Sequence, residues 1–316
     1  MVKAAVQQSR QEIKPYHVSR IKKIKKSKYL YILFSIPFLY YVIFHYVPLY
    51  GILISFQDYN IVRGILGSPW VGLQHFEKFI LDPYFWKLVR NTLLLSFYTL
   101  LWGFPAPIIL AILINEVKHD KFKKVIQNIS YLPHFISTVV VCGMVVNFLS
   151  TDGIANQLIQ TLGGQNIQFL MMPQYFRTIY VASGVWQTMG WNSIIYLAAL
   201  TSIDEEMLEA ALIDGANRWQ RIISIILPSI APTISIMLIM NLGNIMNLGY
   251  EKIILLYNGS TYETADIITS YVYRRGILGN DFSYATAVQL FQAVISMVLV
   301  VSANKVSRKI SDTSLW

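Results

Sequence analysis

The sequence predicts an all-α membrane protein with six transmembrane helices and both termini in the cytoplasm, and three observations carry that prediction. Of 316 residues, 54% are hydrophobic and only 14% charged, against about a quarter charged in soluble domains. The apolar residues gather into six runs, at 29–50, 88–114, 125–149, 176–200, 230–257 and 282–303, each near the ~20 residues that cross a bilayer. Lysine and arginine favour alternate connections. Nine precede Tyr29, four lie in 115–124, two are Arg218 and Arg221, and three follow Ala303, eighteen of the 26 in all. Such an excess marks the cytoplasmic side. The chain therefore reads as a basic cytoplasmic tail, 1–28, a transmembrane domain, 29–304, and a cytoplasmic C-terminal tail, 305–316.

The first apolar run follows the basic stretch 20–28, as in a signal peptide, but it is too long for an h-region and lacks an Ala-x-Ala site. An uncleaved first helix is expected. In the second and third spans, Phe104-Pro105-Ala106-Pro107 and Leu132-Pro133-His134 introduce bends, because proline removes a backbone donor and crowds the preceding turn. The outer connections are 51–87, a loop containing Gly153, Gly163 and Gly164, and a loop around 262–280. None has the size of a separate catalytic domain.

Between the fourth and fifth spans lies the polar segment 202–232. Ser202 followed three residues later by Glu205 has capping-box spacing and predicts a helix from Ile203. Ile203, Met207, Leu208, Ala211 and Leu212 recur on one helical face. Gly215 suits a left-handed helix stop. Asn217 and Gln220 repeat the capping spacing ahead of a second apolar face of Trp219, Ile222, Ile223 and Ile226. Pro228 and Pro232 end or kink that helix. The segment reads as helix, glycine turn, helix at the membrane surface, a pattern that an amphipathic helix simply lying in the interface also satisfies.

Several classes of chemistry are excluded. The single cysteine, Cys142, allows no intrachain disulfide. The histidines at 17, 45, 75, 119 and 134 have no metal-ligand spacing, so no metal site is expected, and there is no phosphate loop of the Gly-x4-Gly-Lys-Ser/Thr type. The net charge of +9 comes from residues at the ends of apolar runs, which fits membrane orientation and not nucleic acid. Lys118 and Lys121 to Lys124 read as a lipid-headgroup and topology signal. The acidic group Asp204, Glu205, Glu206 and Glu209 is explained by an amphipathic cytoplasmic helix without catalysis.

Polar residues within the spans mark a second set of candidates. Asn241, Asn244, Asn247 and Glu251 form approximately one stripe on the fifth span, Gln289, Gln292 and Ser296 lie at i, i+3 and i+7 on the sixth, and Trp186, Gln187, Trp191, Asn192 and Tyr196 lie on the fourth. Polar groups in lipid face a bundle interior or a wet cavity, and amides with aromatic faces suit sugars. The same residue types also act as helix-packing glue.

Glu209-Ala210-Ala211, Asp214-Gly215-Ala216, Leu227-Pro228 and Pro232 resemble the EAA motif of permease subunits in type I ATP-binding-cassette importers, whose fold is MetI-like. Ile222 departs from the aromatic residue common there. Trp70-Val71-Gly72-Leu73, Asn91-Thr92-Leu93 and Tyr131-Leu132-Pro133-His134 are similar to the carbohydrate-uptake branch. Thr264-Ala265-Asp266, Tyr271-Val272-Tyr273-Arg274 and Ser314-Leu315-Trp316 are similar to its LplB/YteP-like members, which handle oligosaccharides or polysaccharide breakdown products. The resemblance implies a non-catalytic permease in a bacterial cytoplasmic membrane. It would work with a second, unlike permease, two ATPase subunits that bind ATP and Mg, and an extracytoplasmic binding lipoprotein. It also implies that Glu209, Ala210, Ala211, Asp214, Gly215, Ala216, Leu227 and Pro228 seat a coupling helix on the ATPase, and that no cofactor resides in this chain. Two other classes stay open at this level. An ion-coupled secondary transporter would carry a charged relay or inverted repeats in its spans, and a membrane enzyme acting on lipid-linked sugar would carry paired carboxylates or a metal motif near the interface.

Overall fold

The computed structural model describes residues 27–243 and 245–310, less the side chains of 303 and 306–310. Most of the N-terminal tail, Asn244 and the Ser314-Leu315-Trp316 stretch lie outside the described residues. The chain forms two units, Met1–Leu53 and Ile54–Trp316. In the first, α1 (Lys28–Tyr41) carries Pro37 and continues into a wider π turn, Val42–Tyr46, where Tyr41 stacks on His45 at 4.8 Å. From Val47 to Phe56 the winding tightens to 3-10.

The second unit opens with a loop pinned by one antiparallel bridge between Gln57 and Trp70 and closed by α2 (Gln74–Ile80). Next come α3 (Phe85–Gly103) and α4 (Pro105–Asn115). Phe104 alone separates them, and Pro105 takes the first helical position of the second, where a missing N–H has no partner to lose. The expected third span, 125–149, is instead two helices. α5 (Asp120–Tyr131) is strongly amphipathic, Leu132–Phe135 forms a 3-10 turn around Pro133, and Ser137 caps α6 (Thr138–Leu149). Lys121, Lys123 and Lys124 keep α5 at a polar surface, so the apolar stretch shifts to Thr138–Thr161 and takes in α7 (Ile154–Thr161).

The longest uninterrupted helix before the C-terminal one is α8 (Pro173–Leu200). α9 (Glu205–Ile213) and α10 (Arg218–Arg221) form the polar segment, and α10 runs through a π turn, Ile222–Ile226, into α11 (Leu227–Gly243). Pro228 and Pro232 therefore do not end the helix. The π turn ahead of Pro228 is the kind of local rewinding by which helices absorb a missing donor. The expected fifth span, 230–257, is also corrected: its helix starts at Arg218 and stops at Gly243, and α12 (Tyr250–Leu256) is separate. Short helices α13 (Tyr262–Ala265) and α14 (Ile268–Val272) and a π turn, Tyr273–Leu278, lead to α15 (Phe282–Ile310).

Among the described residues, five helical stretches are long and apolar enough to cross a membrane: Lys28–Phe56, Phe85–Asn115, Thr138–Thr161, Arg218–Gly243 and Phe282–Ser302. α8 has the length but is more polar than these. Its position explains this, because it packs against α3, α4, α5, α6, α11, α12 and α13. A helix surrounded by protein places polar side chains against neighbours, as with Ser193, which is fully buried. Two buried clusters mark the opposite ends of α8, one holding Cys142, Phe176, Tyr180 and Ile253, the other Ile108, Tyr196, Leu200, Ile226 and Ile230. A third joins Phe79, Phe85, Tyr271, Tyr284 and Val288.

Candidate functional site

The segment between α8 and α11 is held in shape at three points. Asp204, and not Ser202, caps α9: its Oδ1 accepts from the Glu206 N–H at 3.0 Å, and the helix begins at Glu205. The Ser202 hydroxyl turns back to the Ala199 carbonyl, 2.7 Å. At the other end Gly215 adopts φ +80°. The Ala216 N–H donates to the Ala211 carbonyl at 2.9 Å and the Gly215 N–H to the Leu212 carbonyl at 3.1 Å, the paired bonds of a Schellman stop. Asn217 and Gln220 then make the expected reciprocal capping box, with bonds of 2.9 and 2.8 Å.

One face of this capped turn rests on the bundle. Ile203, Leu208, Ile222 and Leu227 pack onto the cluster of Ile108, Tyr196, Leu200 and Ile230, and Ala211 and Ala216 are half-buried. Met207, Leu212, Trp219 and Ile223, expected on the buried faces, point outward instead. Ile213 is 86% and Trp219 72% exposed, and Glu209, Ala210 and Asp214 are exposed as well. The apolar residues of the segment thus serve two sides, which a single-face pattern does not anticipate.

The polar span residues separate into different settings. Gln187 donates to the Ile136 carbonyl at 3.0 Å, and Trp191 stacks on His134 at 4.7 Å with the rings 3° from parallel. Both brace the Pro133 turn. Asn192, Asn241 and Asn247 converge with Ser96, Thr99 and Thr188 on a cavity of about 200 Å³. Trp186 borders two larger recesses, one of about 600 Å³ with Met144 and Phe148, the other of about 690 Å³ with Tyr98, Trp102 and Arg177. Gln289 and Gln292 share a cavity of about 280 Å³ with Tyr250 and Tyr273, which stack at 5.4 Å. The Gln292 amide donates to the Met246 carbonyl at 2.6 Å.

Glu251 is exposed on α12, Asn244 lies outside the described residues, and Asn241 donates to its own helix at Met237, 2.8 Å. The stripe expected from Asn241 to Glu251 is therefore not continuous, because the helix stops at Gly243.

Several groups escape sequence reasoning. Asp266, 2% exposed, takes both ends of the Arg274 guanidinium at 2.8 and 2.6 Å and accepts from the Ser270 hydroxyl. Burial opposes charge on Arg274, but the Asp266 pair outweighs it and raises the guanidinium above its usual range. Asp82 accepts from the Tyr271 hydroxyl at 2.8 Å and the Tyr284 hydroxyl at 3.3 Å. Asn91, fully buried, donates to the Glu263 and Asp266 carbonyls and accepts from Arg177. Lys252, 9% exposed, donates to the Tyr180 carbonyl at 2.9 Å. The residues are visible in the sequence as Asp266, the Tyr271 to Arg275 run and Asn91, but the bonds of Asn91 and Asp82 to the 263–284 region span 172 to 202 positions and have no local pattern, and those of Asp266 to Ser270 and Arg274, though local, depend on the burial that this packing creates. Among the described residues no group of histidine, cysteine or carboxylate side chains has a metal-binding arrangement.

A capped, outward-facing turn set into a helical bundle with polar cavities defines a polytopic transport subunit. The chain belongs to the family described as "Binding-protein-dependent transport system inner membrane component", whose model matches residues 84–312, and its all-helical architecture is the MetI-like permease fold of that family. It is 41% identical to the protein LplB of Bacillus subtilis over 95% of this chain and 94% of that one. It is 42% identical to the polygalacturonan/rhamnogalacturonan transport system permease protein YteP of the same organism, over 93% and 92%. Among solved structures it superimposes with a TM-score of 0.86 and 43% identity, over 92% of this chain and 98% of the other, on a chain of a bacterial ABC transporter involved in the import of the acidic polysaccharide alginate. The chain is accordingly a non-catalytic permease subunit, and ATP hydrolysis falls to a separate subunit.

Proposed function

We propose that the chain forms the translocation pathway of an ATP-driven importer for oligosaccharides or polysaccharide breakdown products, and that segment 202–232 couples it to a cytoplasmic ATPase. The substrate class is supported by the names of its relatives, a polygalacturonan/rhamnogalacturonan permease and an alginate importer. The observation that carries the coupling role is the Schellman stop and capping box around Gly215, beside exposed Glu209, Ile213 and Trp219. A turn locked at both ends transmits displacement, and α10 is continuous through Ile222–Ile226 with α11. Motion of a seated ATPase would therefore act directly on a transmembrane helix. Glu209 pairs with a basic group of that ATPase, Ala210 and Ala211 permit close approach, Asp214 and Ala216 flank the turn, and Leu227-Pro228 joins it to the bundle.

In this reading α8 is the sixth span, and both termini and the coupling segment face the cytoplasm of a bacterium. The partners are a second homologous permease in a heterodimer, two ATPase subunits holding ATP and Mg, and an extracytoplasmic solute-binding lipoprotein. Trp186, Asn192, Asn241, Asn247, Gln289 and Gln292 contribute to the pathway, and the cavities they border support this. Co-purification from native membranes tests the assembly: an ATPase, a second permease and a binding protein are expected together, and their absence would overturn it. Oligosaccharide uptake into proteoliposomes holding that complex tests the substrate class.

A further inference from the structure

We propose that the recess between α2, the start of α3 and the 259–275 region binds the carboxylate groups of a uronate-bearing oligosaccharide. This site rests on the sugar-importer reading above and narrows its substrate to sugars that carry a carboxylate. The recess has a volume of about 840 Å³, within the roughly 300–1,000 Å³ of small-molecule sites. Its walls are polar and charged, in contrast to the apolar cavity beside Met144 and Phe148.

The charges facing it are Lys78, Lys87, Arg274 and Arg275 against Asp82, Glu263 and Asp266. Two of the three acids in the wall are already committed. Both oxygens of Asp266 are held by Arg274. Asp82 accepts from the Tyr271 and Tyr284 hydroxyls through Oδ2 and from the Tyr84 N–H through Oδ1 at 2.8 Å. These bonds fix the tyrosines and Arg274 in place, and the rings so fixed in turn carry Arg275, 5.7 Å from the Tyr271 centroid and 5.6 Å from that of Tyr284, and Lys78, 5.0 Å from Tyr284.

Arg275 is exposed and donates through Nε to the Tyr271 hydroxyl at 3.3 Å, and among the described residues its two Nη groups have no hydrogen-bond partner. A guanidinium held by its Nε edge presents the remaining donors as a planar fork, the geometry that matches a carboxylate. Lys87 lies over the Tyr84 ring at 5.1 Å and likewise donates to no acceptor among the described residues. Lys78 is 3.9 Å from Asp281, an exposed pair that screening weakens. Glu263 is the one acid on the rim with no side-chain partner among the described residues, and it repels an anion from that side. The anion therefore sits toward Arg275 and Lys87. Tyr84, 52% exposed, adds a ring face against which a sugar's C–H face packs.

The test uses the assembled importer, both permeases with their ATPase, in nanodiscs without binding protein. Trigalacturonate and galactotriose, which share a ring and differ in the carboxylate, are titrated by calorimetry. Trigalacturonate is expected to bind roughly tenfold tighter, and Arg275→Gln and Lys87→Gln each to remove that preference. Lys87→Gln removes no buried hydrogen bond, so a folding defect does not confound it. Equal binding of the two sugars by the wild type, or an unchanged preference in both variants, would overturn the proposal. So would variants whose only defect is weaker capture of the binding protein, since the recess would then be a docking surface. Uptake into proteoliposomes with binding protein separates the two levels. If uptake persists while the preference is absent, the recess assignment alone fails; if the wild type takes up neither sugar, the sugar-importer reading fails and the site's ligand with it.

Discussion

Gly190 of α8 lies directly against the backbone carbonyl of Ser130 in α5, so that a Cβ at position 190 would overlap the Ser130 oxygen and carbon. The obstacle is backbone and cannot rotate aside. Gly190→Ala should therefore force α5 and α8 apart at a cost of about 3 kcal/mol, the upper range for overpacking, and lower the thermal stability of the detergent-solubilised protein. Gly103→Ala is the control, because nothing lies within 4 Å of its added Cβ. Melting temperatures from size-exclusion thermostability assays should fall only for Gly190→Ala, and equal melting would sink the close-packing argument.

Gly215 has open space around its missing Cβ but a φ of +80°. Gly215→Ala should be tolerated at about 1–2 kcal/mol of local strain, whereas Gly215→Pro demands a φ near −65° and removes the bond to the Leu212 carbonyl. Gly215→Pro and Glu209→Lys are expected to insert normally yet abolish substrate-stimulated ATP hydrolysis by the assembled complex. Wild-type stimulation in both would remove the coupling role.

In the Asp266–Arg274 pair the carboxylate is closed to solvent and the guanidinium partly covered, with side chains 3% and 24% exposed. Asp266→Ala should cost about 1–3 kcal/mol because it leaves a partly covered guanidinium and the buried Ser270 hydroxyl without their acceptor. Arg274→Lys, lacking the planar fork, should lose stability despite keeping the charge. Denaturant midpoints of the purified protein check both, and an Asp266→Ala change under 1 kcal/mol would show that water reaches the pair.

Asn91 bridges α3 to Glu263, Asp266 and Arg177. Asn91→Leu should destabilise by about 1–3 kcal/mol for each buried polar group left unpaired. Asn91→Asp keeps the acceptor toward Arg177 but turns an oxygen toward two carbonyls, so it should not rescue. Protease sensitivity of the 257–281 region should rise in both variants.

Asn217→Ala removes the capping box that begins α10. About 1 kcal/mol of local stability goes with it, and the ratio of transported sugar to ATP hydrolysed should fall while ATPase binding is kept. An unchanged ratio would mean that the rigidity of this turn does not limit coupling.

Composition and the positions of lysine and arginine, by themselves, determined a helical membrane protein and singled out the polar segment between α8 and α11. The conformation of Gly215 and the Asn217–Gln220 box were also legible there, because glycine stops and capping boxes are made by residues within a few positions of one another. Other features needed the tertiary structure. Amphipathic α5 merged with an apolar run in the sequence, and the stop at Gly243 fell inside another, since hydropathy does not see where a helix breaks. α8 keeps Ser183 and Ser193 because its neighbours cover them, while Asn192 stays exposed beside a cavity. Trp219 and Leu212 face outward although their spacing puts them on the apolar faces. The recess of Arg275, Asp82 and Tyr271 joins residues almost 200 positions apart, and only the packing of α2, α3 and α15 against the 259–275 region brings their charges within hydrogen-bonding reach.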